Sequence, residues 1–167
     1  MSIFEQHNLG LKATPVGDTF YEQWVAGTYI VAGVFHRHCQ NLDVRHIQEQ
    51  TPELFHHLRQ HKKGLWPRGI SAFYAIPIYT SDGFDAAVVD WVHARPKYRY
   101  AMWHEPVLYD RKLNNAEMNS SWGLYGAAFR IFLFEAVYTA LRVKSQHEGH
   151  AEFPLVNNEK IKIEEVR

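Results

Sequence analysis

The sequence predicts an α+β domain, or a small α/β one, with several helices packed on a short mixed sheet. Three observations carry this. Segments with helical spacing alternate with β-rich runs, one strand–helix–strand stretch has βαβ order, and the C-terminus has the pattern of a hairpin. A chain of 167 residues, 46% hydrophobic and 14% aromatic, supplies a core for one globular domain over 1–167 and gives no sign of disorder.

Pro15 and Gly17 mark an early turn. The following segment, "TFYEQWVAGTYIVAGVFHRHCQ", is read as a helix. Thr19 and Glu22 have capping-box spacing, and Phe20, Trp24, Val31 and Phe35 fall near one helical face. Gly27, Gly33 and the β-branched "TYIV" keep a strand over Thr28–Phe35 as the alternative. "LDVRHIQEQ" reads as a short helix. "TPELFHHLRQHKKG" reads as a second one, with Thr51 as N-cap, Pro52 at the first helical position and Gly64 past the end.

"ISAFYAIPIY", Ile70 to Tyr79, is apolar on both alternating faces, as in a strand covered on both sides. Pro77 lacks a donor, so it marks an edge, an end or a bulge. "SDGFDAAVVDWVHA" predicts a helix with Phe84, Val88, Trp91 and Val92 inward, and "KYRYAMWHEPVLYD" a second long strand, which completes the βαβ-like central unit. Asp110 to Ser120 is expected to be a polar loop. Ser121 to about Lys144 forms a long helix, apolar almost all round, with Arg130 and Glu135 inside it. "EFPLVNNEKIKIEEV" is expected to turn at Asn157–Asn158, with Ile161 and Ile163 alternating with charges on the second arm.

Lys plus Arg and Asp plus Glu number 18 each, and this neutral balance disfavours a dedicated nucleic-acid binder. A lipid-facing span needs about 18 uncharged residues. The nearest run carries Arg130 and Glu135 at its centre, so no membrane role is expected. Cys39 is the single cysteine and the N-terminus lacks a signal-peptide pattern, so the expected location is the cytoplasm. Eleven histidines make acid sensitivity an expectation.

His104 and Glu105 are candidate acid–base residues. In a strand, however, neighbours point to opposite faces, so the two do not act on one atom. Nor is this an HExxH zinc motif, since position 108 is leucine. Glu135, an acid in an apolar helix, is the third catalytic candidate. Glu53, His57 and His61 have metal-ligand spacing on one helical stripe, which the positions of Leu54, Phe55 and Leu58 turn toward solvent, so no cofactor is expected. His36 and Cys39 lie one helical turn apart, a weaker pair, with His38 pointing elsewhere. Tyr98, Arg99, Tyr100, Trp103 and Arg130 are the residue types that anchor protein interfaces.

No phosphate loop, nucleophile elbow, paired-cysteine zinc motif or dinucleotide fingerprint is present in the sequence. The expectation is therefore a non-enzymatic protein-binding domain, such as a stoichiometric inhibitor of immunity or antitoxin type, with a homodimer as a second arrangement. The alternative is a small hydrolase, metal-dependent or not, using His and Glu side chains.

Overall fold

The computed structural model describes residues 12–16, 19–23, 30–60, 72–94, 97–99, 102–119, 130–152 and 154–157. Among them the fold is α+β: three helices packed on a mixed sheet. In chain order the strands are β1 Lys12–Val16, β2 Thr19–Gln23, β3 Ile30–His38, β4 Ala72–Ser81, β5 Lys97–Arg99, β6 Met102–His104, β7 Val107–Asp110, β8 Asn115–Met118 and β9 Leu155–Val156. The helices are α1 Val44–Gln60, α2 Ala86–His93 and α3 Arg130–His147.

Strand β4 is the centre. It pairs parallel with β3 along its length on one side, and on the other with β6 and then β7. β5 pairs antiparallel with β6, β8 antiparallel with β7, and β9 parallel with β8. β1 and β2 form a separate antiparallel hairpin, with β2 beside β3. Both β3–α1–β4 and β4–α2–β6/β7 are parallel crossovers, so the expected central unit is extended by one strand and one helix.

β4 is apolar on both faces because both are covered. Phe73 and Ala75 meet Phe35, Leu54, Phe55 and Leu58 under α1. Tyr79 and Leu108 meet Ile47 of α1 and Val88 and Val92 of α2. On the opposite face Tyr74, Ile76, Ile78, Val107 and Tyr109 lie against Val137, Ala140 and Leu141 of α3. Burying each large aliphatic side chain contributes roughly 1.5–3 kcal/mol.

Several expectations are corrected. Within the segment read as a helix from Thr19 to Gln40, the described Thr19–Gln23 and Ile30–His38 are β2 and β3 instead; from Ile30 on, the strand kept as the alternative over Thr28–Phe35 is the one found, and Thr28 and Tyr29 lie outside the described residues. Glycine occupies position 33 of this strand because a β-carbon there would come within 2.6 Å of Leu58 Cδ2 and 2.8 Å of Phe35 Cζ, so the missing side chain lets α1 approach β3.

The two helices read on either side of Thr51 are one. Asp43, not Thr51, caps it: His46 N donates to Asp43 Oδ1 at 2.7 Å, which holds that carboxyl below its ordinary range. Thr51 Oγ1 instead donates to Ile47 O at 2.8 Å, and Pro52 sits inside the helix. An interior proline costs about 3 kcal/mol. Burial of Ile47 ahead of it and of Leu54, Phe55 and Leu58 behind it offsets that cost.

Asp110–Ser120 is not simply a loop, because β8 pairs there with β7 through a tight turn. The single strand expected from Lys97 to Asp110 folds back as β5 and β6 before continuing as β7. At the C-terminus β9 is described. The second arm of the expected hairpin, and with it Ile161 and Ile163, lies outside the described residues.

Candidate functional site

The central feature is the junction of β6 and β7. Ala75 pairs with His104 and Ile78 with Val107, an offset of 29 residues in both cases (104 − 75 and 107 − 78). The register is therefore unchanged across Glu105–Pro106, and Glu105 N still donates to Ala75 O at 2.9 Å. What interrupts the ladder is a missing donor. Backbone groups alternate along a strand, and the carbonyls of Ala75 and Ser81 accept from this neighbour, so position 77 faces it too. Proline there has no N–H to give to the Glu105 carbonyl. Pro77 thus marks neither an edge nor an end nor, with the register unchanged, a bulge, the three readings the sequence offered, but a one-bond gap inside the sheet.

Alternation through the junction sends His104 and Glu105 to opposite faces. Met102 packs toward α1 and Trp103 toward α3, and beyond the junction Val107 and Leu108 divide the same way. Glu105 therefore lies on the α3 face between Trp103 and Val107. Tyr74, the register partner of Trp103, stacks on its indole with ring centres 4.7 Å apart and planes 7° from parallel.

Both ionisable groups are buried at 3% exposure. Among the described residues neither Glu105 Oε1 nor His104 Nε2 has a hydrogen-bond partner. Burial pushes the Glu105 carboxyl up to about 8, so it is mostly neutral at pH 7. Burial and the neighbouring Glu105 carboxylate together raise the Tyr74 phenol to about 12. Burial alone lowers His104 to about 4. His36, on the α3 face of β3, is lowered to about 4 by burial and by the Lys144 ammonium.

A second feature is the turn that joins β7 to β8. Asp110 Oδ1 accepts from Lys112 N at 2.9 Å and Leu113 N at 3.0 Å. Asn114 adopts a left-handed φ of 48°. Its Oδ1 accepts from Tyr109 Oη at 3.0 Å and Ser145 Oγ at 2.9 Å, and its Nδ2 donates to Glu152 O at 3.1 Å. Arg111 N donates to Ser81 O at 3.0 Å, its guanidinium forks onto the Asp82 carboxylate, and His150 Nε2 donates to Arg111 O at 2.6 Å. This clamp holds up Leu113, which at 70% exposure is the one exposed large apolar side chain among the described residues. Asn114→Ala is expected to cost about 2–3 kcal/mol, from lost bonds and left-handed strain, read as a lower urea midpoint. An unchanged midpoint would show that the clamp is not cooperative.

Few of the sequence candidates converge. Trp103 reaches the junction, half-buried. Tyr98 and Arg99 lie in β5, and Arg130 and Glu135 in α3, with their side chains outside the described residues; Tyr100 and His61 lie outside them altogether. Glu53 is exposed, but His57 is not on a solvent stripe as expected. It is buried edge-on against Phe35 of β3, with ring centres 5.9 Å apart. Among the described residues no three His, Cys, Asp or Glu groups converge as a metal site.

His36 and Cys39 are not one helical turn apart, since β3 ends at His38; burial also raises the Cys39 thiol, which disfavours the nucleophilic thiolate. One pair escaped the sequence reading: His93 Nε2 lies 2.8 Å from Glu117 Oε2, while Asn115 Nδ2 donates to Glu117 Oε1. Its members come from α2 and β8, and no local spacing signals them. Compared with protein-family models, curated proteins and solved structures, the chain matches none.

Proposed function

We propose that this protein acts by binding a protein partner, as a stoichiometric binder rather than a catalyst, and that the β7–β8 turn carries the contact. The observation behind this reading is the exposure of Leu113 on a backbone fixed from both sides by side-chain hydrogen bonds. A partner that takes up Leu113 does not have to order the loop, so little of the contact energy is lost to ordering. The flanking Lys112 and Arg111 cations, both tied to Asp82, suit a partner with an apolar pocket and an acidic rim. The divergence of His104 and Glu105 favours binding over a hydrolase built on that pair.

Affinity capture from the source cells, followed by mass spectrometry, tests this. A stoichiometric partner should co-elute with the wild type and with Arg45→Glu, a control on exposed α1. Its recovery should fall at least about tenfold with Leu113→Glu. A partner retained by Leu113→Glu, or none captured by the wild type, refutes the reading.

A further inference from the structure

We propose that the β6–β7 junction is a binding site for a small organic monocation, such as a primary alkylammonium, with Glu105 as its counter-ion and the Tyr74–Trp103 stack as its wall. The inference is independent of the protein-binding reading.

The backbone makes the setting. β5 reaches the outer side of this strand only as far as His104, through Lys97, and β8 only as far as Val107, through Met118. Between them no described strand pairs with Glu105 and Pro106. On the inner side Pro77 withholds its donor. Among the described residues the outer backbone edge of the sheet is thus unpaired at Glu105 and Pro106, and the Glu105 side chain there is buried.

The side chains supply the chemistry. Glu105 brings a buried carboxyl oxygen with no partner among the described residues, which a native core rarely leaves without a reason. Next to it stands a stacked aromatic pair whose indole is the partly exposed member and so marks the solvent side. A carboxylate beside an aromatic wall is complementary to a cation with a short apolar tail: the charge pairs with the carboxylate, and the rings attract it through their quadrupole. An anion would meet the carboxylate, and a neutral alcohol would leave it without a counter-charge. The carboxyl is mostly neutral in the free protein at pH 6.5. Entry of an ammonium ion, already protonated in solution, therefore expels the Glu105 proton to buffer, about one proton per cation bound.

Calorimetry at pH 6.5 tests this, with butylammonium as the probe and butanol as the neutral control, in two buffers of different ionisation enthalpy. Saturable butylammonium binding is expected, with release of close to one proton. The Trp103 indole resonance should shift, and butanol should bind at least about tenfold more weakly. Glu105→Gln resembles the neutral acid in shape. With its fold confirmed by circular dichroism, it should lose at least about tenfold in affinity and release no proton. Absent binding in the wild type, binding that Glu105→Gln retains, or binding without proton release or without a Trp103 shift would each overturn the proposal.

Discussion

Thermal stability is expected to peak near pH 6.5 and to fall on both sides. Glu105 titrates near 8 when folded, against 4.5 when unfolded. Between those values the native state holds the extra proton, so this group's stabilisation is complete below 4.5 and is lost as pH rises toward 8. At 1.36 kcal/mol for each pH unit of that gap, the full loss is roughly 5 kcal/mol. His36 and His104 act in the opposite sense. Each titrates near 4 when folded and 6.5 when unfolded, so the unfolded chain binds the proton first, and stability falls as pH drops from 6.5 toward 4.

Between 4.5 and 6.5 two histidines outweigh one glutamate, and stability rises with pH, the unfolded chain holding about one proton more. Above 6.5, of these three groups only Glu105 still contributes, and the slope reverses. Differential scanning fluorimetry from pH 5 to 8.5 reads both limbs. Glu105→Gln should erase the alkaline limb and melt on the order of 10 °C above the wild type at pH 8. A wild-type profile that stays flat from 6.5 to 8.5 would contradict the buried, neutral carboxyl.

Gly33→Val is expected to destabilise by roughly 2–3 kcal/mol, although valine suits strands better than glycine. The side chains it would strike, Leu58 and Phe35, are themselves fully buried and have nowhere to withdraw. Leu58→Ala alone should cost about 2–5 kcal/mol through the cavity it leaves. Together the two changes should cost clearly less than their sum, because the valine methyls occupy the vacated volume. Urea denaturation of the wild type, both single variants and the double variant closes the cycle. Strict additivity would mean that helix and strand do not meet at Gly33.

What the sequence made legible were features written in short runs. The two-sided apolarity of β4, the inward face of α2 and the alternation at His104–Glu105 could all be read from neighbours a few positions apart. The misreadings have a common cause: a local rule met a partner distant in sequence. The glycines and aromatics of 19–38 fitted a helix until α1 supplied the reason for Gly33. Thr51–Pro52 has the grammar of a helix start, but burial of Ile47 and Leu54 carries the helix through it. Pro77 reads from the sequence as an edge, an end or a bulge, whereas it faces Glu105–Pro106, where no described outer strand pairs. The site followed the same pattern. Glu105 was visible as a residue, but its stacked neighbours depend on pairing between Tyr74 and Trp103, 29 positions apart.

The layering also has a consequence for the order in which the chain is made. Synthesis proceeds from the N-terminus at about 5–20 residues per second. Strands β3, β4 and β7, with α1 and α2 over one side, precede α3 in the sequence. Until the ribosome has released α3, no described helix covers the side bearing Val34, Ile76, Ile78 and Val107. A nascent chain halted at that stage presents an apolar plane that α3 does not yet cap.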